Sequence, residues 1–294
     1  MTFDDSGHGS DMDVYLQPHS DDVCFSLGAL ANRRRRGALL TAFPVAGFVA
    51  RPPGQSAPPP EQVTATRMAE DRAFARACDL QASFLNLPTS SLIGRHPFDL
   101  TGAAETRRRV VGPLMDALIG QTPAPPCSRR AWLFCPAAVG GHVDHAAVFD
   151  AVIGRYDELS AYYRIAFYED LHYASKSKVR RRGLERMFDT AAVRPLGRRY
   201  WRLNSQDVQR KLALLRLYSS QFLDPPTDLA QFTPAAAPRY VAHEAFWSEL
   251  PFGEESAVLG GVDRLRHCAM RILPRPLRRS ALFRTAGVEV SPDL

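Results

Sequence analysis

The chain has 294 residues, of which 45% are hydrophobic and 23% charged, a composition typical of a soluble globular protein rather than of a disordered or fibrous one. Its net charge of +6 comes almost entirely from arginine, but the arginine runs at 33–36, 107–109 and 180–182 lie in separate segments without interleaved aromatic residues, so we expect no nucleic-acid partner. The five cysteines are scattered without a C-x-x-C spacing, which is typical of reduced thiols. No leader segment and no apolar run of roughly 20 residues is present, so we expect a cytoplasmic protein without a membrane partner.

The first part of the chain predicts alternating strands and helices. After a polar tail at 1–12, residues 13–19 predict a strand, 26–37 a helix that ends at a glycine, and 38–47 a second strand. A strand, a helix and a strand within about 35 residues are typical of a βαβ unit with parallel pairing. The proline-rich segment 51–60 predicts a loop.

The alternation continues to about residue 175. Further helices are predicted at 61–80, at 105–120 and after residue 145, and further strands at 82–87, 131–136 and 164–169. Beyond that point the pattern is irregular, apart from an amphipathic helix at 205–222 with Asn204 as its N-cap. The basic segment 251–294 is expected to be a C-terminal extension, either a surface helix or a mobile tail. The sequence therefore predicts an α/β fold: a Rossmann-like three-layer α/β/α sandwich with a mostly parallel sheet and C-terminal additions.

Two of the predicted strands end in dense polar clusters. The sequence "HSDD" at 19–22 follows the first strand, and "GGHVDH" at 140–145 follows the fourth. In an open α/β sheet, ligands bind beyond the carboxyl ends of the strands. Both clusters would lie at that edge, and we expect them to converge.

The residue types of the two clusters suit a metal ion. Zinc binds imidazole nitrogen and carboxylate oxygen, and a catalytic zinc site has three protein ligands and a water. The pairs His19 with Asp22 and His142 with His145 are each three positions apart, and the first pair with one histidine of the second would complete a His, Asp, His set. The remaining aspartate and histidine would supply acid–base chemistry. The alternative is structural, because aspartates after a parallel strand often serve as helix N-caps; the joint occurrence of both clusters favours the metal.

The two motifs resemble those of a known family. "PHSDD" (18–22) and "GGHVDH" (140–145) are similar to the Pro/Ala-His-Pro-Asp-Asp and His-x-Asp-His motifs of the LmbE-like (PIG-L) superfamily of zinc-dependent N-deacetylases. The likeness extends over about 13–175 and includes "TRMAEDRAFARACDL" (66–80) and "FYEDLHYA" (167–174). The resemblance implies a deacetylase domain over residues 13–250.

The resemblance also implies a role for each matching residue. The zinc ligands would be His19, Asp22 and His145, and the general base would be Asp21. His142 would stabilise the oxyanion or protonate the amine, with Asp144 as its electrostatic partner. Arg67 matches an arginine that faces the sugar, and we expect Tyr168 and His172 to line the substrate pocket. Glu169 or Asp170 would be an outer partner of a zinc-bound histidine.

The sequence departs from the family pattern around the substrate pocket. Ser20 replaces the usual proline, Val23 a frequent glutamate, and His172 a proline, while Thr89 stands where relatives often have an acid. None of these changes removes a metal or base position. They leave the identity of the substrate open.

We therefore expect a zinc-dependent hydrolase that removes an acetyl or other acyl group from the amine of an amino sugar or of a glycosylated small molecule. One alternative is an amidase or deacylase for a bulkier amide, such as a thiol conjugate or a long acyl chain. The other is a module that binds a metal or sugar without chemistry. Asp21 and His142 argue against this last alternative, because a pure binder has no need of a base beside its metal.

Overall fold

The computed structural model of the chain describes residues 12–120, 131–190, 196–236, 241–249 and 288–289. The predicted N-terminal tail and almost all of the basic C-terminal extension lie outside these ranges. Two residues of that extension, Val288 and Glu289, form a short strand, so at this point the expectation of a surface helix or mobile tail is wrong. Within the ranges given, no helix is both long enough and apolar enough to cross a bilayer.

Helices and strands alternate through most of the chain. The strands are β1 (Asp13–Gln17), β2 (Gly37–Thr41), β3 (Leu80–Phe84), β4 (Ala131–Pro136), β5 (Tyr163–Tyr168), β6 (Leu196–Arg202), β7 (His243–Glu249) and β8 (Val288–Glu289). The helices are α1 (Asp22–Arg34), α2 (Pro60–Ala77), α3 (Ala103–Leu118), α4 (Val143–Gly154), α5 (Tyr156–Leu159), α6 (Ser177–Thr190) and α7 (Ser205–Leu215).

The described strands form one sheet in the order β3-β2-β1-β4-β5-β7-β6-β8. Strands β1 to β5 pair in parallel, whereas β7 is antiparallel to both of its neighbours, β5 and β6. The predicted α/β fold with a mostly parallel sheet is therefore confirmed. From β1 the chain proceeds to β2 and β3 on one side, and then returns to place β4 on the other side of β1. This reversal of strand order opens a crevice beyond the carboxyl ends of β1 and β4, where ligands of such sheets bind.

The two central strands form the core because they are buried on both faces. Every residue of β4 is buried, and Tyr15 of β1 stacks on Phe134 of β4 with ring centroids 5.1 Å apart. Outside the sheet, helix α1 packs against α7, and helix α3 packs against α4. The chain crosses from β1 towards β3 on one side and towards β5 on the other. Right-handed crossovers in these two directions place their helices on opposite faces of the sheet, which gives one layer of sheet between two layers of helices.

Helix α1 is interrupted at Leu27, which has non-helical dihedral angles. The backbone N–H groups of Ala29 and Leu30, which follow the kink, donate to the carboxylate of Glu244 at 2.9 and 2.8 Å. The ammonium group of Lys211 lies 2.8 Å from the same carboxylate, and both side chains are almost fully buried. Glu244 therefore supplies the acceptors that the second half of the helix would otherwise lack, and Lys211 compensates its charge.

Replacement of Glu244 by alanine is expected to lower the free energy of unfolding by about 3–5 kcal/mol, because it leaves the ammonium group of Lys211 buried without its counter-charge. Urea unfolding of the variant measures this loss. The exposed Glu61→Ala substitution on α2 is the control and should change stability by less than about 0.5 kcal/mol. Equal stability of Glu244→Ala and the wild type would show that the ion pair does not support the kink.

The prediction was least complete after residue 175. Asn204 is confirmed as the N-cap of α7, where it forms a capping box with Asp207, but the helix ends at Leu215 instead of at residue 222. Helix α6 and strands β6 and β7 were not predicted. His243 is fully buried on β7.

Candidate metal centre and catalytic site

The two polar clusters lie side by side at the crevice. The first occupies the turn between β1 and α1, and the second occupies the turn between β4 and α4. Because β1 and β4 are parallel neighbours, with Val14 opposite Leu133, their carboxyl ends meet at the same edge. The clusters therefore come together across 126 positions of sequence between His19 and His145.

Three ligand atoms of the clusters form a small triangle. The Nε2 atom of His145 lies 3.3 Å from Nδ1 of His19 and 3.3 Å from Oδ2 of Asp22. The third side, from His19 Nδ1 to Asp22 Oδ2, is 3.7 Å. A tetrahedral zinc ion with bonds of about 2.0–2.1 Å holds its ligand atoms about 3.3 Å apart. The triangle therefore fits one zinc-sized cation bound by the residues that the family resemblance implies.

A third histidine lies beside this triangle. The rings of His19 and His142 have centroids 4.6 Å apart, and one nitrogen from each of His19, His142 and His145 lies within 4.8 Å of the others. Three histidines are thus also able to hold a metal ion. The two possible ligand sets differ in one member, which is Asp22 in one set and His142 in the other.

Carboxylates hold the two histidines of the triangle from behind. Nδ1 of His145 lies 2.6 Å from Oδ1 of Asp170, and Nε2 of His19 lies 2.9 Å from Oδ2 of Asp144. A carboxylate on the far ring nitrogen is the usual support of a metal-binding histidine, because it fixes the orientation and tautomer of the ring. Burial disfavours a charged ring, but Asp22 and Asp170 outweigh this effect and raise the pKa of His145 to about 9.

The support of His145 yields a direct prediction about metal binding. The Asp170→Asn substitution is expected to weaken zinc affinity by about 10–100-fold, because an amide holds the imidazole less strongly than a carboxylate does. Competition with a chromophoric chelator measures the affinity. Asp150→Asn, a matched change of a half-buried carboxyl group on α4, should leave it unchanged. Unaltered affinity in Asp170→Asn would mean that His145 is not a ligand or needs no such support.

Asp144 has a different nearest partner from the one expected. Its Oδ2 atom is 3.9 Å from Nδ1 of His142 but 2.9 Å from Nε2 of His19. The backbone N–H of Ser90 also donates to Asp144, at 3.1 Å, and the Ser90 hydroxyl makes a short hydrogen bond to it. Although burial opposes ionisation, the bond from His19 holds the pKa of Asp144 below its usual range. Asp144 thus orients His19 more directly than it does His142.

His142 is held as a neutral ring by its surroundings. Its Nδ1 atom accepts a hydrogen bond from the backbone N–H of Asp144 at 3.2 Å, so the proton of the neutral ring is on Nε2. Burial, with the neighbouring rings of His19 and His145, lowers the pKa of His142 to about 2. The ring is therefore a hydrogen-bond donor through Nε2, a role suited to an oxyanion partner.

Asp21 is not a helix cap in the ordinary sense. It precedes α1, but its side chain makes no capping hydrogen bond. Its backbone has φ of 112°, which is rare for a residue other than glycine and is typical of functional positions. Oδ2 of Asp21 accepts a hydrogen bond from Nη2 of Arg67 at 3.0 Å. Burial raises the pKa of Asp21 well above its usual value, while Arg67 acts in the opposite direction.

The three side chains expected to contact substrate occupy different environments. Arg67 is buried and also donates to the backbone carbonyl of Ser20 at 2.5 Å, so its contacts within the chain fix Asp21. Tyr168 is fully buried and its hydroxyl donates to the carbonyl of Leu16, so the structure speaks against a direct substrate contact by this side chain. His172 is half-buried, and burial lowers its pKa. It interacts electrostatically with Asp22 and His145, which fits the rim of the site.

The turn that carries the first cluster rests on a buried aspartate that was not among the predicted site residues. The Asp71 carboxylate accepts hydrogen bonds from Gln17 at 3.0 Å, from Thr41 at 2.8 Å and from Tyr218 at 2.9 Å. The side-chain carbonyl of Gln17 in turn accepts from the backbone N–H of Val23. This network braces both ends of the turn that carries Asp21 and Asp22. The sequence did contain a signal for this support: Asp71 stands four residues after Arg67, on the apolar face of the predicted helix.

Comparison with solved structures places this architecture among deacetylases. A deacetylase of the teicoplanin biosynthesis pathway, in complex with bog, aligns with a TM-score of 0.55 and 20% sequence identity, covering 82% of this chain and 98% of that enzyme. The A40926 pseudoaglycone deacetylase Dbv21 aligns with a TM-score of 0.54 and 19% identity, with the same coverage of both chains. The chain has the fold of these deacetylases. No protein-family profile matches it, and neither does any curated protein.

This likeness confirms the predicted resemblance at the level of the fold. It extends over almost the whole length of both enzymes and over 82% of this chain. At such low identity it leaves the roles of individual residues to be argued from the geometry of this chain.

Proposed function

We propose that the chain is a zinc-dependent hydrolase that removes an N-acetyl group from an amino sugar carried by a small glycosylated molecule. The observation that carries this proposal is the triangle of His19, Asp22 and His145 ligand atoms, with Asp21 next to Asp22 in the chain and the ring of His142 4.6 Å from that of His19. A pure metal-binding module would not need a further buried carboxylate and a neutral imidazole near its metal ligands.

The chemistry follows from the residues around the triangle. Zinc bound there would polarise the amide carbonyl and lower the pKa of a water molecule. Asp21, oriented by Arg67, accepts the proton of the attacking water. His142 donates through Nε2 to the carbonyl oxygen as negative charge develops on it. Asp170 and Asp144 keep the two ligand histidines in place, and the proton taken by Asp21 is available to the departing amine.

The choice of substrate class rests on the structural neighbours. Both are deacetylases, one of the teicoplanin biosynthesis pathway and the other of the A40926 pseudoaglycone. The departures from the family pattern at Thr89 and His172 leave the exact amino sugar open. A cytoplasmic location is part of the proposal, and the free, buried thiols of Cys24, Cys78 and Cys135 support it because reduced cysteines are typical of that compartment.

The proposal is tested by metal analysis together with acetate release. The purified protein is expected to contain about one zinc ion per chain and to release acetate from N-acetylglucosamine glycosides. A chelator should abolish the release and added zinc should restore it. Zinc without release of acetate would redirect the proposal to the bulkier amides that the sequence left open. Absence of zinc, with no response to added zinc, would contradict it.

A further inference from the structure

A cavity lies between the carboxyl end of α1 and the first half of α7. Its volume is about 320 Å³, at the lower end of the roughly 300–1,000 Å³ that is usual for small-molecule sites. The part of α1 that lines it, residues 29–35, lies roughly 10–20 Å along the helix from Asp22. None of the lining residues is a candidate metal ligand or catalytic residue, so the cavity is separate from the site described above.

Three arginine side chains converge on this cavity without a carboxylate partner. Arg33 and Arg35 come from the end of α1, and Arg210 comes from α7. Within the part of the chain that the structure describes, none of their guanidinium groups forms an ion pair or a hydrogen bond, whereas the neighbouring Arg34 pairs with Asp13 at 2.5 Å. All three side chains are exposed, so a ligand in the cavity would reach them.

The electrostatic surroundings of the cavity are positive. Burial raises the pKa of Cys78 to about 12, and the charges of Arg35 and Arg210 act in the opposite direction, so guanidinium groups from two helices lie near the same thiol. Asp207 is the one acid in the described lining. Its Oδ2 atom accepts a hydrogen bond from the backbone N–H of Asn204 at 3.1 Å, which engages it in the N-cap of α7. Three guanidinium groups and one carboxylate leave a surplus of positive charge.

Helix stabilisation explains only part of this arrangement. Arginines at the carboxyl end of a helix stabilise its dipole, which accounts for Arg33 and Arg35. It does not account for Arg210, which lies within α7 and lines the same cavity. Like charges around one cavity repel one another, and an anion between them removes the repulsion. The first turn of α7, with Gln206 in the lining, also favours an anion because the amino end of a helix carries partial positive charge.

The composition of the lining indicates the class of anion. Ala29 is the one apolar residue among the described residues of the lining, and none of them is aromatic, so neither an apolar group nor a stacked base finds a partner there. A guanidinium group binds a phosphate through two parallel hydrogen bonds, which are stronger than those between neutral groups. The cavity therefore suits a phosphate group.

We propose that this cavity binds a phosphate group, free or esterified to a small molecule, and that the phosphate connects α1 to α7 through Arg33, Arg35 and Arg210. The inference does not depend on the proposed hydrolysis, because it uses no residue of the metal triangle. The second half of α1 is already connected to α7 through the Glu244–Lys211 ion pair. A bound phosphate would add a second connection between the same two helices.

Calorimetric titration of the full chain at constant ionic strength tests the site with inorganic phosphate, glucose 6-phosphate and glucose. Both phosphates are expected to bind, and glucose is not. In Arg33→Gln/Arg210→Gln the affinity should fall by at least about tenfold, because charge-assisted hydrogen bonds are lost. A higher affinity for glucose 6-phosphate than for inorganic phosphate assigns the site to an ester, and equal affinities assign it to the phosphate alone.

Two controls locate the binding. Arg181→Gln/Arg182→Gln removes exposed arginines of α6 and causes the same change of net charge, so it should bind phosphate as the wild type does. Protein treated with a chelator should also retain the binding, which distinguishes the cavity from phosphate bound to a metal.

Thermal unfolding gives a second readout and shows that the variant is folded. Saturating phosphate should raise the melting temperature of the wild type by several degrees. Arg33→Gln/Arg210→Gln should melt no lower than the ligand-free wild type, because the substitutions remove repulsion, and phosphate should not raise its melting temperature. Absence of binding to the wild type, undiminished binding to this double variant, or loss of binding after chelation would each overturn the inference, whether or not the protein hydrolyses an amide.

Discussion

The Asp21→Asn variant is expected to have a kcat about 10²–10⁴-fold lower than the wild type and to retain its zinc. Loss of a general base has this order of effect, and asparagine lacks the negative charge that accepts the proton. Asparagine is the appropriate replacement because it has the size of aspartate and tolerates the positive φ of 112° at this position. Acetate release and metal content measured on the same sample test the prediction.

The control for this variant is Asp99→Asn, which changes an exposed aspartate in a loop of the same edge and should leave kcat unaltered. Full activity of Asp21→Asn would remove Asp21 from the mechanism. A parallel loss of zinc would mean that Asp21 is a ligand or that the turn has collapsed. Circular dichroism of the variant distinguishes these two causes.

The second large effect separates the two possible ligand sets. If His19, Asp22 and His145 bind the metal, Asp22→Ala removes a ligand. Its zinc affinity should then fall further than it does when an outer partner is removed, which costs about 10–100-fold. His142→Ala should then keep its zinc and lose about 10²–10³-fold in kcat, as expected when one oxyanion donor is removed. Metal content after dialysis and kcat at saturating zinc give the two readouts.

The opposite pattern has an equally clear meaning. Loss of zinc in His142→Ala with retention in Asp22→Ala would assign the metal to His19, His142 and His145, whose nitrogens lie within 4.8 Å of one another. The donor of the oxyanion hydrogen bond would then have to be another residue, for which His172 at the rim is the first candidate. Retention of zinc in both variants would place the metal elsewhere.

The sequence was sufficient to predict the part of the site that is local in the chain. The three-residue spacing of His19 and Asp22 is realised because Asp22 begins α1 and a hydrogen bond links its carboxylate to the backbone N–H of His19 at 2.8 Å. The clusters meet because β1 and β4 are adjacent, which the βαβ pattern and the crevice rule anticipate. Of the residues that support them, Asp170 was one of the two expected outer partners of a zinc-bound histidine, whereas Ser90 and Asp71 come from two other segments and were missed. Their partners depend on the order of strands, which periodicity does not encode.

The fold was predictable only where strands are apolar. Strand β6, with the sequence "LGRRYWR", contains two arginines that are nevertheless buried, Arg198 and Arg199. Arg198 donates to the Glu169 carboxylate at 2.8 Å, and Arg180 of α6 binds the same group. A buried guanidinium is compatible with a strand once a carboxylate compensates it, but the compensating residue lies far away in sequence. Charge in these segments therefore concealed both β6 and α6.

The kink in α1 has a consequence for where this chain can be divided. Asp22 stands at the start of a helix whose second half is held by Glu244 of β7, with Lys211 of α7 as the counter-charge. Tyr218, which follows α7, reaches back to Asp71 beneath the same turn. The two motifs that supply the candidate ligands end at residue 145, yet the segments that hold the first motif in place lie between 205 and 249. A chain shortened to residue 190 would keep every candidate ligand and lose the scaffold that presents them, so motif boundaries and folding boundaries do not coincide in this protein.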